Sequence, residues 1–240
     1  MKKIFFLFFI LGIAAASSLQ AEDLKIAAGA GYKKSILKII NMYREQYKTD
    51  IDGIFGNMKQ VSAQARQTEI AMVIGDRDYL SKKSKLNFIQ FEEIGEGKLV
   101  LAYPKNAEIK TFDQLTDTKI KRVAMPQPQK AIFGTAGEAF LNNSGLYNKI
   151  KDKLYVVATV PQVATYLVAN EVDAGIMNLT AALENREKLG GYIAIPQKYY
   201  SKVSIVAGVL PGCSENKECR QFIDFLHTKK SKEIFQHYGL

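Results

Sequence analysis

Gly29 and Gly31 stand where a strand-like alternation, Asp23 to Ala28, gives way to a helical pattern of apolar residues. Such a junction lends itself to anion binding. Helix N-termini carry free backbone N–H groups and a partial positive charge, and glycine lets a ligand approach that backbone closely. A tight strand-to-helix turn would use the same two glycines. Phe55 to Gln60 and Ile74 to Asp78 are junctions of the same form. Catalysis is poorly provided for. The two histidines, His227 and His237, both fall in the last helical stretch, and no Gly-x-Ser-x-Gly elbow or Walker loop occurs. Carboxylates near the junctions, Glu69, Asp76 and Asp78, solvate loops more readily than they do chemistry, so the expectation is a binding protein and not an enzyme.

Cys213 and Cys219 are the only cysteines, six apart around Ser-Glu-Asn-Lys-Glu. In an oxidising compartment such a pair closes a small loop by a disulfide; two surface thiols are the alternative. With only two histidines beside them they make a poor metal set, and neither metal nor cofactor is expected. The ends agree with export. Met1-Lys2-Lys3, an apolar run from Ile4 to Ala16 and Ser17 to Ala21 read as a signal peptide over 1–21, cut after Ala21. The apolar run is short of the ~20 residues that span a bilayer, a retained anchor being the alternative. The mature chain from Glu22 is then expected to be soluble in the periplasm. The 33 basic and 24 acidic residues give +9, or 31 − 24 = +7 without Lys2 and Lys3. This excess is spread along the chain without aromatic interleaving, so nucleic acid is not expected, while a positive field favours an anionic ligand.

The elements that must position these residues alternate between strand and helix. Strands are predicted at Asp23–Ala28, Asp50–Phe55, Ile70–Ile74, Lys98–Tyr103, Lys121–Met125, Leu154–Ala158, Asp173–Met177, Ile193–Ile195 and Val203–Val209. Helices are predicted at Ser35–Tyr47, Met58–Gln67, Gly134–Asn142 and Gln162–Asn170, with a short one from Thr111 and a long one or a pair over Glu218–His237. Alternation of this sort means α/β layers, mostly parallel sheets flanked by helices. In such sheets ligands bind beyond the carboxyl ends of strands.

The order of segments resembles the periplasmic molybdate-binding protein family over nearly the whole mature chain. The carriers are Leu24-Lys-Ile-Ala-Ala-Gly-Ala-Gly-Tyr32, Phe55-Gly-Asn-Met-Lys59, Ile70-Ala-Met-Val-Ile-Gly-Asp-Arg-Asp78, Asp173-Ala-Gly-Ile-Met-Asn-Leu-Thr-Ala181 and Lys232-Glu-Ile-Phe-Gln-His-Tyr-Gly239. The resemblance implies a two-lobed type II periplasmic binding protein with two crossing hinge strands. Lobe one would comprise 22–103 and 197–240 and lobe two 104–196, with hinges near Ala102 to Lys105 and Ile195 to Lys202. It also implies a captured small anion, molybdate or tungstate first, and an ABC transporter permease in the inner membrane as partner.

The family's hydroxyl donors do not carry over. Matched by position, its first serine falls on Gly31, its second at Asn57-Met58, the small residue after the third strand on Arg77, and the tyrosine of lobe two on Asn178. Tyr32, Asn57, Lys59, Arg77 and Asn178 stand nearby instead. The expected ligand residues are therefore Gly31, Tyr32, Asn57, Arg77 and Asn178, with backbone groups at Ala30, Met58 and Val163. Val163 is included because it is expected to open the helix after Pro161. Phe133-Gly134-Thr135 would either line the wall of lobe two or sit in its core. An Arg77 aimed into the cleft would clamp a carboxylate or phosphate bidentately; otherwise it faces solvent and pairs with Asp76 or Asp78. A small carboxylate or phosphorylated metabolite, or a surface adhesin on the same fold, are the other functions this pattern leaves open.

Overall fold

The structure, a computed structural model, describes residues 24–240, so the expected leader at 1–21 lies outside the described residues. Lobe one opens with β1 (Leu24–Gly29), α1 (Lys33–Tyr47), β2 (Ile51–Gly56), α2 (Met58–Ala65), β3 (Met72–Asp76), α3 (Arg77–Lys82) and β4 (Gln90–Gly97). Lobe two follows with β5 (Leu99–Pro104), β6 (Val123–Pro126), α4 (Ile132–Asn143), α5 (Tyr147–Ile150), β7 (Leu154–Val157), α6 (Val160–Val168), β8 (Ala174–Asn178), α7 (Leu179–Glu184) and β9 (Leu189–Ala194). The chain then returns to lobe one as β10 (Val203–Val209), α8 (Lys217–Leu226) and α9 (Lys229–His237).

Each lobe is built on one five-stranded sheet, ordered β2-β1-β3-β10-β4 and β7-β6-β8-β5-β9. Both are mixed. β1 pairs parallel with β2 and β3, and β6 with β7 and β8, as strand–helix–strand units require. β10 and β5, the strands that follow the two crossings, pair antiparallel with both of their neighbours. β5 lies wholly in the second sheet, so the first crossing falls at Lys98 between β4 and β5, not at Ala102–Lys105, and the boundary expected after Tyr103 moves with it. Leu99 to Ala102 are entirely buried between β8 and β9, and no hinge can sit in a strand hydrogen-bonded on both edges.

The apolar face of α1 is the one its periodicity gives. Ile36, Ile39, Ile40 and Tyr43 are all buried on sheet one, where each such side chain contributes ~1.5–3 kcal/mol. The long C-terminal stretch divides at Thr228, whose hydroxyl accepts from Ser231 N and starts α9. β4 is an edge strand whose carboxylates are met by side chains from elsewhere in the chain: Glu92 by the His227 ring, Glu93 by Arg77 and Glu96 by Lys202. Charged edges discourage pairing with another chain. Cys213 and Cys219 form a disulfide, Cα–Cα 5.4 Å, at the amino-end of β1 and β3, opposite the strand ends that face lobe two.

Candidate functional site

The carboxyl ends of β1 and β2 in lobe one face those of β6 and β7 in lobe two. The chain turns there into four helical starts: the 3₁₀ turn Ala30–Tyr32 that leads into α1, and the N-termini of α2, α4 and α6. Together they line a cavity of about 30 Å³, formed by 29–32, 56–58, 131–133 and 159–160. The first N–H groups of a helix have no intrahelical partner, so these starts bring backbone donors and the positive ends of helix dipoles to the cavity, although the N–H groups of Asn57, Ala131 and Thr159 are already taken by Gln60, Gln127 and Gln162. No Lys, Arg, Asp or Glu lines it. Such a wall can hold a small anion by neutral hydrogen bonds.

Two caps keep those turns in place. Asn57 Oδ1 accepts from Gln60 N while Gln60 Oε1 accepts from Asn57 N, both at 3.0 Å. This capping box leaves the N–H groups of Met58 and Lys59 to face outward from the helix start. In lobe two Gln162 Oε1 accepts from Thr159 N at 3.0 Å. Thr159 is therefore the cap, and α6 starts at Val160, two residues before the expected start at Gln162. Val163 is consequently a fully buried core residue packed against Gly175, and lobe two meets the cavity through 131–133, Thr159 and Val160, the Thr159 N–H being itself taken by Gln162.

Gly31, Tyr32 and Asn178 meet across the lobes. Asn178 caps α7 through Oδ1, which accepts from Ala181 N at 3.3 Å, and its Nδ2 donates to Gly31 O at 3.2 Å. Gly31 does not have a left-handed φ, so the turn itself would admit another residue. The constraint is space: a Cβ there would stand 3.2 Å from Asn178 Nδ2. Tyr32 is buried, its ring edge-on to Phe133 at 6.4 Å between centroids, and its hydroxyl has no hydrogen-bond partner. Burial first, then the charge of Asp76, pushes that phenol well above its ordinary pKa, against a smaller opposing effect of the Asn178 side chain. Phe133 is both core and wall, 2% exposed and part of the cavity lining.

Arg77 is not part of this site. As the first residue of α3 it turns toward β4, bonding Glu93 Oε1 at 2.5 Å and lying 5.0 Å over the Phe91 ring. Its partner is thus neither Asp76 nor Asp78. Asp76 caps α3 by accepting from Tyr79 N at 2.8 Å, and burial raises its pKa against that bond. Asp78 pairs with Lys82 one helical turn on.

A second, larger cavity of about 420 Å³ lies on the other side of Ala30 and Gly31, between the start of α1, the face of α6 and the end of α7. Lys33, Lys34 and Lys188 line it together with Glu184. α1 has no side-chain cap and no acidic residue in its first turn, and Lys33 and Lys34 there oppose its dipole. The acidic residue nearest that start comes from lobe two, as Glu184. Lys34 Nζ donates to Glu184 O at 3.1 Å and lies 3.9 Å from its carboxylate. The Glu184 side chain is only 9% exposed and its Oε1 has no hydrogen-bond partner. Burial, partly offset by the Lys34 ammonium and the backbone N–H groups of Lys34 and Ser35, raises its pKa from 4.5 to about 7.

Sequence reasoning placed Ala30, Gly31, Tyr32, Asn57 and Met58 at the smaller cavity and missed Ala131, Ile132, Thr159 and Val160. The Thr159-x-x-Gln162 spacing, a capping-box signature, was the available signal for the last two. Glu184 had no such signal, because its role exists only where the lobes touch.

Known proteins match along the same span. A Haemophilus influenzae protein described as a putative binding protein is 26% identical over 237 residues, covering 95% of this chain and 94% of the relative. A Bacillus subtilis protein described as a putative ABC transporter substrate-binding lipoprotein is 23% identical, covering 96% and 93%. The solved periplasmic molybdate-binding protein of Azotobacter vinelandii superposes with a TM-score of 0.81 at 19% identity, covering 90% of this chain and 98% of that one. At that identity the superposition establishes the two-lobed type II fold, in line with the resemblance in segment order. The profile described as bacterial extracellular solute-binding protein matches residues 24–240, and this chain belongs to that family.

Proposed function

We propose that the protein is the periplasmic receptor of an ABC uptake system and captures a compact oxyanion, molybdate or tungstate first, in the 30 Å³ cavity between the lobes. The observation that carries this reading is the convergence of four helical N-termini, two from each lobe, on one small cavity without a charged side chain. Neutral donors fixed by the fold discriminate by size and geometry more than by charge, which suits a small tetrahedral anion. The relatives' descriptions, a transporter's substrate-binding lipoprotein and a molybdate-binding protein, support the same reading. The ligand enters with the lobes parted, and rotation about Lys98 and 195–202 brings Thr159 and Val160 onto it. Closure also presents both lobes as one surface to a membrane permease.

The test is isothermal titration and thermal shift of the mature protein with molybdate, tungstate, sulfate, phosphate and chromate. Molybdate or tungstate at about 1,000 times its dissociation constant should add ~4 kcal/mol of stability, with sulfate and phosphate weaker. If none of the tetrahedral anions gives heat or a melting shift at millimolar concentration, the oxyanion reading is wrong.

A further inference from the structure

We propose that Ile132 sets the upper size of the captured anion, by walling the 30 Å³ cavity off from a wider groove beside it; the assignment rests on reading that cavity as the anion seat. The groove, about 190 Å³, runs between α3 of lobe one, α4 of lobe two and the crossing segment at 201–203. Among the described residues Ile132 alone lines both spaces. Room for a larger ligand therefore lies next to the helix starts, and one side chain stands between.

That side chain is held from both lobes. Ile132 is the first residue of α4, and Gly134 lets the helix begin close against β6: a Cβ at 134 would stand 2.5 Å from the carbonyl oxygens of Pro126 and Gln127. Branching at Cβ keeps a helical isoleucine mostly in one χ1 rotamer. Across the cleft, Gly75 in β3 leaves its own side-chain space to others. Met58 Sδ and Cε fill it, 2.9 and 2.5 Å from where a Cβ would be, and Ile132 Cδ1 reaches to 3.9 Å from the same point. Ile132 thereby packs on the smaller apolar cluster of lobe one, with Met58, Val73 and Leu80, and is the one lobe-two residue there among the described residues. Closure of the lobes seats the same methyl groups at the same edge of the cavity. A bare tetrahedral oxyanion stops short of them, while a carbon substituent on one of its oxygens would meet them.

The experiment titrates the full mature protein and its Ile132→Val and Ile132→Ala variants with molybdate, inorganic phosphate and phosphoglycolate. The last two share a phosphate head and differ by a two-carbon tail. In Ile132→Ala the affinity for phosphoglycolate should rise about tenfold or more over wild type, the worth of a methylene or two in an apolar wall, with Ile132→Val between. Phosphate and molybdate should hold or weaken in the same variants. Melting without ligand is measured alongside, and Ile132→Val, one methylene shorter, keeps the test open should the alanine variant fold poorly. A merely loosened interface would weaken all three anions together, and that pattern overturns the proposal. So does a phosphoglycolate affinity that neither substitution raises. The gain is read against wild type with phosphoglycolate itself, so a wild type that ignores molybdate overturns the oxyanion reading and leaves this comparison intact.

Discussion

Asn178 Nδ2 donates to the carbonyl of Gly31 across the lobe boundary at 3.2 Å, and a Cβ on Gly31 would stand at that same 3.2 Å from the nitrogen. The two residues are therefore one device: the absent side chain at 31 is the space through which the side chain at 178 reaches. Gly31→Ser should push Asn178 off the carbonyl and destabilise the protein by ~1 kcal/mol, the net worth of such a bond. Asn178→Ala should cost ~1–2 kcal/mol, since it also removes the cap of α7. In the double variant the costs should fall short of their sum by ~0.5 kcal/mol or more, as for residues in contact. Urea denaturation of the four proteins checks this, and strict additivity would show that the pair is not coupled.

Tyr32 gives a prediction of opposite sign. Its hydroxyl is buried without a partner, so Tyr32→Phe removes an uncompensated polar atom and keeps the ring against Phe133. Stability should rise by ~1 kcal/mol, read as about 2–4 °C in melting temperature for a chain of this size. A fall would mean that the hydroxyl is hydrogen-bonded in solution. If the variant is more stable yet responds more weakly to molybdate, the hydroxyl is a ligand donor whose cost in the free protein is met on binding.

How much of this was legible in the sequence follows from what each element depends on. Val203–Val209 and the face of α1 are specified by local apolar periodicity and appear where that periodicity places them. β4 was not legible, because Gln90–Gly97 is acidic and without alternation, and it is a strand only through β10 and the side chains that meet its carboxylates. α3 is a six-residue helix whose start at Arg77 rests on the Asp76 cap. Read as loop, the same residues left Arg77 free to face the cleft. The site divides along the same line. Ala30, Gly31, Tyr32, Asn57 and Met58 sit where one strand meets one helix, a local event. Glu184 and the Asn178–Gly31 bond depend on how two separately wound sheets meet, which no local pattern records.

Glu184 makes the stability of the protein depend on pH in a defined window. Burial raises its pKa from the ordinary 4.5 to about 7, so between those values the folded protein holds a proton that the unfolded chain has released. The resulting stabilisation is fully present below about pH 4.5 and is lost as pH rises through 7. Glu184→Gln does not titrate. The wild type minus variant difference in unfolding free energy should therefore fall by roughly 1–3 kcal/mol from pH 4.5 to pH 8. Taking the difference cancels Asp76 and other acids common to both proteins. A difference that does not change with pH would place the Glu184 carboxyl in solvent, away from the start of α1.

Arg77 separates the two ways an anion receptor can be built. Were the site charge-based, its guanidinium would be the natural clamp, and its loss would abolish binding. The structure commits it elsewhere: both Glu93 and the Phe91 ring lie on β4, and its side chain is 39% exposed. An exposed ion pair contributes ~0–1 kcal/mol and an exposed cation–π contact about as little. Arg77→Ala should therefore lower stability by no more than ~1 kcal/mol, with the loss shrinking in high salt. Titration of the variant with molybdate should give the wild-type dissociation constant within about twofold, because the donors at the four helix starts are untouched. A loss of tenfold or more would mean that Arg77 leaves Glu93 for the ligand, and that the anion is held by charge and not by backbone donors.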